Sequence, residues 1–274
     1  MSTRVQIVSK AKPLLKAGLA LMLAAGVAAC SNTSRETTGS IAPAASGRAI
    51  EQMSTRELQG VAQRLGQSYA KQPNDKATAL RYAAVLQMSG STDQALAVMR
   101  KSAIDHPKDR DVLAAYGKAL AADGQFEPAL QAVRRAQTPE YPDWRLVSAE
   151  AAILDQLGQN AEARNLYTRA LELKPGEPSV LSNLGMSYVL TGDLKIAEAT
   201  MRKAVSAPGA DSRVRQNLAL VVGLQGRFAE AEAIASQELS PDQAKANVAY
   251  LRGMLAQQNA WNDLEKEDKA RRTN

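Results

Sequence analysis

The chain has 274 residues, of which 45% are hydrophobic and only 4% aromatic, with one cysteine, one histidine and a formal net charge of +6. Apolar content carried mainly by alanine and leucine favours closely packed helices over sheet. A single cysteine excludes an internal disulfide, and one histidine with one cysteine leaves little for metal or nucleophilic chemistry.

The basic excess is local. Arg4, Lys10, Lys12 and Lys16 all precede the first apolar run, no acid occurs before position 30, and without this leader the formal charge falls from +6 to +2. The body is therefore close to neutral, and no nucleic-acid partner is expected. Residues 1–29 have the anatomy of a secretory signal: a basic start, an apolar stretch from Ala17 to Ala29, and small residues before a cut. That stretch falls well short of the roughly 20 apolar residues that span a bilayer.

Val27-Ala28-Ala29-Cys30 resembles the lipobox of bacterial lipoproteins, in which the cysteine becomes the first mature residue and is acylated. The resemblance implies lipidation of Cys30, anchoring to a membrane through several acyl chains, each buried methylene contributing about 0.8 kcal/mol. Ser31 follows, and by analogy with Gram-negative lipoproteins a residue other than aspartate there implies the outer membrane, with the body facing the periplasm. The segment 30–50 is polar and small-residued with no apolar periodicity, which predicts a tether whose ends lie about 25 Å apart as a flexible coil.

From residue 51 the chain repeats. Gly90, Gly124, Gly158, Gly192 and Gly226 stand 34 residues apart, a period expected of a stacked array in which each unit buries its apolar face against its neighbours. With Lys76 as position 1, position 8 holds Ala83, Gly117, Ala151, Gly185, Ala219 and Gly253, and position 20 holds Ala95, Ala129, Ala163, Ala197 and Ala231. Only small side chains occur at either place, so two helices are predicted to cross closely there. Larger residues surround them at helical spacing, as Tyr82, Tyr116 and Leu184 do one residue earlier and Leu86, Leu120, Leu154 and Tyr188 three later. The glycine at position 15 permits the reversal between the helices. Pro73, Pro107 and Pro175 close units in one phase.

These residues resemble the tetratricopeptide repeat, most closely over Val147–Pro175 and Leu181–Ala204, where Leu181, Leu184, Gly185, Tyr188, Gly192, Ala197 and Ala204 fall on characteristic positions. The resemblance implies an all-α fold, a right-handed superhelical solenoid of about five helix-turn-helix repeats. The repeats fall at about 76–109, 110–143, 144–177, 178–211 and 212–245, within a solenoid spanning 51–258. Half-repeat caps are expected at 54–72 and 242–258, followed by a charged tail at 259–274. Ala219, Val222 and Glu238 depart from the pattern, so the fifth repeat is expected to splay or end early.

In that architecture the first helix of each repeat lines a concave groove, and the candidate partner residues are Arg145, Ser148, Asn183, Met186, Arg213, Asn217, Leu220, Tyr250 and Met254. Asn183 and Asn217 recur at position 6, where asparagine can hold a ligand backbone and also occurs in repeats that bind nothing. Ser148 and Ala152 stand where a basic clamp for a terminal carboxylate would need lysine and asparagine, so no such clamp is expected. His106 lies in the turn before Pro107, and no CxxC, HExxH, phosphate-binding glycine loop or nucleophile elbow occurs. Neither an enzyme nor a cofactor is expected.

The lipobox, the tether, the repeats and the segment Ser240–Leu255 together resemble the TadD family, the tetratricopeptide lipoproteins of the tight adherence (Flp) pilus system. That resemblance implies a pilotin-like scaffold whose partner is the secretin or another pilus assembly subunit. The alternative is a lipoprotein adaptor that regulates a periplasmic cell-wall enzyme or another envelope complex.

Overall fold

The computed structural model describes residues 53–140 and 142–273. The predicted signal segment 1–29, Cys30 and the tether 30–50 lie outside the described residues. Among those described there are twelve α-helices and no strand, so the all-α expectation holds.

The N-terminal helix α1 (Thr55–Lys71) precedes five helix pairs. These are α2 (Lys76–Met88) with α3 (Thr92–Asp105), α4 (Arg110–Ala122) with α5 (Phe126–Ala136), α6 (Trp144–Gln156) with α7 (Asn160–Leu173), α8 (Pro178–Leu190) with α9 (Leu194–Ser206), and α10 (Ser212–Leu224) with α11 (Phe228–Ala235). The last helix, α12, runs from Pro241 to Thr273. Helix therefore continues through the stretch where a charged tail is expected. The contacts divide the chain after Lys174 into two compact units, the first carrying α1–α7 and the second α8–α12.

Local chemistry starts the first helix of every pair in the same way. Asp75, Asp109, Asp143, Glu177 and Asp211 stand 34 residues apart, and each carboxylate accepts a hydrogen bond from a backbone N–H of the first turn. The distances include 2.8 Å from Thr78 N to Asp75 and 3.0 Å from Val214 N to Asp211. An N-terminal turn leaves four such donors without intrahelical partners, and a negative charge there also complements the helix dipole. Pro178 at the start of α8 lacks an N–H that would otherwise need a partner. α1 begins with a reciprocal pair instead, Ser54 N donating to Glu57 Oε2 at 2.7 Å and Glu57 N to Ser54 Oγ at 3.4 Å.

The five glycines of the 34-residue ruler end each first helix with φ between 78° and 84°. Around Gly124 nothing lies within 4 Å of a notional Cβ, so its requirement is conformational, not spatial.

In the first unit the helices of each pair touch, as do α3 with α4 and α5 with α6. One apolar cluster runs from Ala79 to Ile153 and includes Met99, Val112, Leu120 and Val133, all nearly or fully buried. Ala95, Ala129 and Ala163 at position 20 are 0% exposed. At Gly117 a Cβ would stand 2.6 Å from Val133 Cγ2 and 3.2 Å from the Ala129 carbonyl oxygen, so an added methyl group would collide first with the Val133 side chain. α1 covers the open end of this unit through Leu58 and Val61, which cluster with Val85. That is the role predicted for the N-terminal half repeat.

The second unit repeats the crossing at Gly185, whose notional Cβ would meet Met201 Cε at 2.9 Å. Ala197 and Ala204 are 0% exposed. α11 is only eight residues long, the early end anticipated from Glu238. A carboxylate at a position that elsewhere buries alanine cannot join the core, and it turns instead to accept a hydrogen bond from Arg215 Nε. α12 covers α10 and α11 with Ala244, Val248 and Leu251. It approaches closely because Gly223 has no side chain, and a Cβ there would lie 2.5 Å from Leu251 Cδ2.

One packing expectation is corrected. Gly253 occupies position 8 but is exposed, with nothing within 4 Å of a notional Cβ. α12 is the first helix of an incomplete pair, so no second helix of its own crosses it.

Two glycine substitutions separate the physical demands. Gly117→Ala is expected to cost about 1–3 kcal/mol through overpacking, and Gly124→Ala about 1–2 kcal/mol through its left-handed backbone. In urea denaturation, Val133→Ala should relieve part of the Gly117→Ala penalty and none of the Gly124→Ala penalty. Equal, fully additive losses in both pairs would contradict this assignment.

Candidate partner-binding face

The sequence-predicted groove residues fall into two groups, one on each unit. On the first unit, Arg145 and Ser148 lie in the opening turns of α6. The Asp143 carboxylate caps this helix by accepting from Arg145 N at 2.8 Å. The Arg145 guanidinium carbon lies 4.5 Å from the Trp144 ring centroid, so the cation is stacked on the neighbouring indole. Ser148 is only 2% exposed. It lies too deep to line an open groove, which corrects its expected place: a small side chain at position 5 lets its surroundings close over it.

On the second unit, α8 carries Asn183 and Met186, α10 carries Arg213, Asn217 and Leu220, and α12 carries Tyr250 and Met254. Successive first helices touch, α8 with α10 and α10 with α12. Met186 is 6% exposed and belongs to the interior, a second correction. Its flexible side chain fills space between helices and is not presented to solvent. Arg213 Nη2 lies 3.0 Å from Asp211 Oδ2, so its charge is paired at the start of its own helix.

Asn217 has a structural bond. Its Nδ2 donates to Ser182 Oγ at 3.0 Å, from position 6 of one repeat to position 5 of the one before. Ser182 is 3% exposed, and a buried hydroxyl needs such a partner. Asn183, one repeat earlier, is half-buried. Among the apolar residues of these first helices Tyr250 is 64% exposed and Leu220, Leu224 and Met254 are half-buried, beside the exposed polar side chains of Gln216 and Arg252.

An ion-pair network links the second helices of the second unit. Glu198 of α9 accepts from Arg202 of its own helix and from Arg227, the residue before α11. Gln225 Nε2 donates to it at 2.8 Å. Glu230 closes the network, 2.7 Å from Arg202 and 3.0 Å from Arg227. The Arg227 hydrogen bond is the largest influence on Glu198; partial burial opposes it, and Gln225 and Arg202 reinforce it, holding this carboxyl at about 2. In the first unit Lys76 links consecutive repeats, its Nζ lying 2.7 Å from Asp109 and 2.8 Å from Asp111. These pairs join repeats, and Arg227 and Glu230 also line an open surface depression with Phe228 and Arg252.

Sequence reasoning missed both the carboxylate ladder at the helix starts and the Glu198 network. The ladder was visible in principle, since its five acids share the 34-residue phase of the glycines. The network was not, because Glu198, Gln225, Arg227 and Glu230 become neighbours only when second helices stack. Among the described residues, no cluster of three or more His, Cys, Asp or Glu could hold a metal ion, and no helix is long and apolar enough to cross a membrane.

A tetratricopeptide-repeat family profile matches residues 156–221. The solved structure of TTC0263, a tetratricopeptide-repeat protein of Thermus thermophilus, superposes with a TM-score of 0.56 at 22% identity, covering 63% of this chain and 96% of that one. The chain folds as tetratricopeptide repeats. A repeat protein from Parabacteroides merdae has a TM-score of 0.55 at 19% identity, over 74% of this chain and 81% of its own. PilW, described as a widely conserved type IV pilus biogenesis factor, has a TM-score of 0.57 at 19% identity, over 75% and 94%. No curated protein matches the chain in sequence.

Two measurements test these assignments. Asn217→Ala should destabilise the protein by about 1 kcal/mol by leaving Ser182 without its donor; an unchanged urea midpoint would free Asn217 from a structural role. A carboxyl whose folded value lies below its ordinary 4.5 stabilises the fold above that pH, and the benefit is lost as pH falls from about 4.5 towards 2. Because the arginines are partly exposed, Glu198→Gln is expected to cost about 1–2 kcal/mol at pH 7. The difference from the parent protein should shrink steadily below pH 4.5; a gap independent of pH would refute the linkage.

Proposed function

We propose that this protein is a non-catalytic interaction scaffold that takes part in pilus assembly at the outer membrane, as a lipoprotein of the TadD type. The observation that carries the interaction reading is the solvent-facing apolar set of the second unit. Tyr250 is exposed and Leu220, Leu224 and Met254 are half-buried on touching first helices, with Arg213 paired to Asp211 and Arg252 stacked on the Phe228 ring. Such a face suits capture of a short apolar segment of another protein. The carboxyls that titrate low, Glu198 and Asp75, are accounted for by an ion pair and by a helix cap.

The pilus assignment is supported by the Ser240–Leu255 segment and by the fold shared with PilW, itself a pilus biogenesis factor. The lipobox supplies the rest: acyl chains on Cys30 would give a membrane address, and residues 31–50 the reach. Holding the repeats near an assembling secretin raises the effective concentration of the captured segment, so a modest intrinsic affinity suffices. The partner in this reading is the outer-membrane secretin subunit, assisted in a pilotin-like manner to reach or multimerise in the membrane.

Deleting the protein should lower the amount of secretin multimer in the outer membrane; an unchanged amount and multimer state would remove the assembly reading. Cys30→Ser should abolish incorporation of labelled palmitate and release the protein from the membrane fraction with its helical circular dichroism intact. Membrane fractionation as before would overturn the lipid anchor.

A further inference from the structure

We draw no further inference here: the strongest candidate, the open face of α12 where Ala249, Gly253 and Ala256 lie exposed beside Tyr250, is a small-residue stripe on the side of that helix turned away from α10 and α11, and nothing in the structure shows what covers it.

Discussion

The close crossing of two helices at positions 8 and 20 is the constraint on which the rest of the structure depends. Alanine or glycine must meet alanine there, because backbones this near leave no room for a longer side chain, as the 3.2 Å approach of the Ala129 carbonyl oxygen to a notional Gly117 Cβ illustrates. The crossing sets the separation of each helix pair, and the separation determines which larger residues fill the flanks. Val133 and Met201 sit directly over the glycines, so the same small residues that permit approach also provide the recesses that large ones occupy. Dense packing of this kind is sensitive to single methyl groups.

Repetition removes the need for a centre and creates a problem at the ends. Within a unit each pair completes its burial on the next, and a terminal pair has one face without a neighbour. α1 solves this at one end with Leu58 and Val61 against Val85. α12 does the same for the last pair of the second unit by seating Leu251 against Gly223 and burying Ala244. The fifth repeat accommodates that cap by shortening its second helix, with Glu238 diverted to Arg215. α12 nevertheless retains a glycine suited to a crossing that its own repeat does not make.

Polar groups divide by location. At the start of each first helix, carboxylates satisfy backbone donors, while on the second helices Glu198 and Glu230 bind arginines across a repeat boundary. On its first helices the second unit exposes Tyr250 and leaves Leu220, Leu224 and Met254 half-buried beside Gln216 and Arg252, a mixed face that suits contact with another protein.

The sequence by itself determined the helix pairs, their turns and the two capping helices, because these depend on a 34-residue phase of glycine, alanine and larger apolar residues that local geometry can realise in one way. The carboxylate ladder belongs to the same legible class, since a cap needs only its own helix. Tertiary structure alone decided which candidate residues remain available. Ser148 and Met186 are covered, Asn217 is bound to Ser182, and Tyr250 is left open. Position in a repeat specifies where a side chain starts, but its exposure depends on how closely the neighbouring helix approaches, and that distance is set by side chains about a whole repeat away.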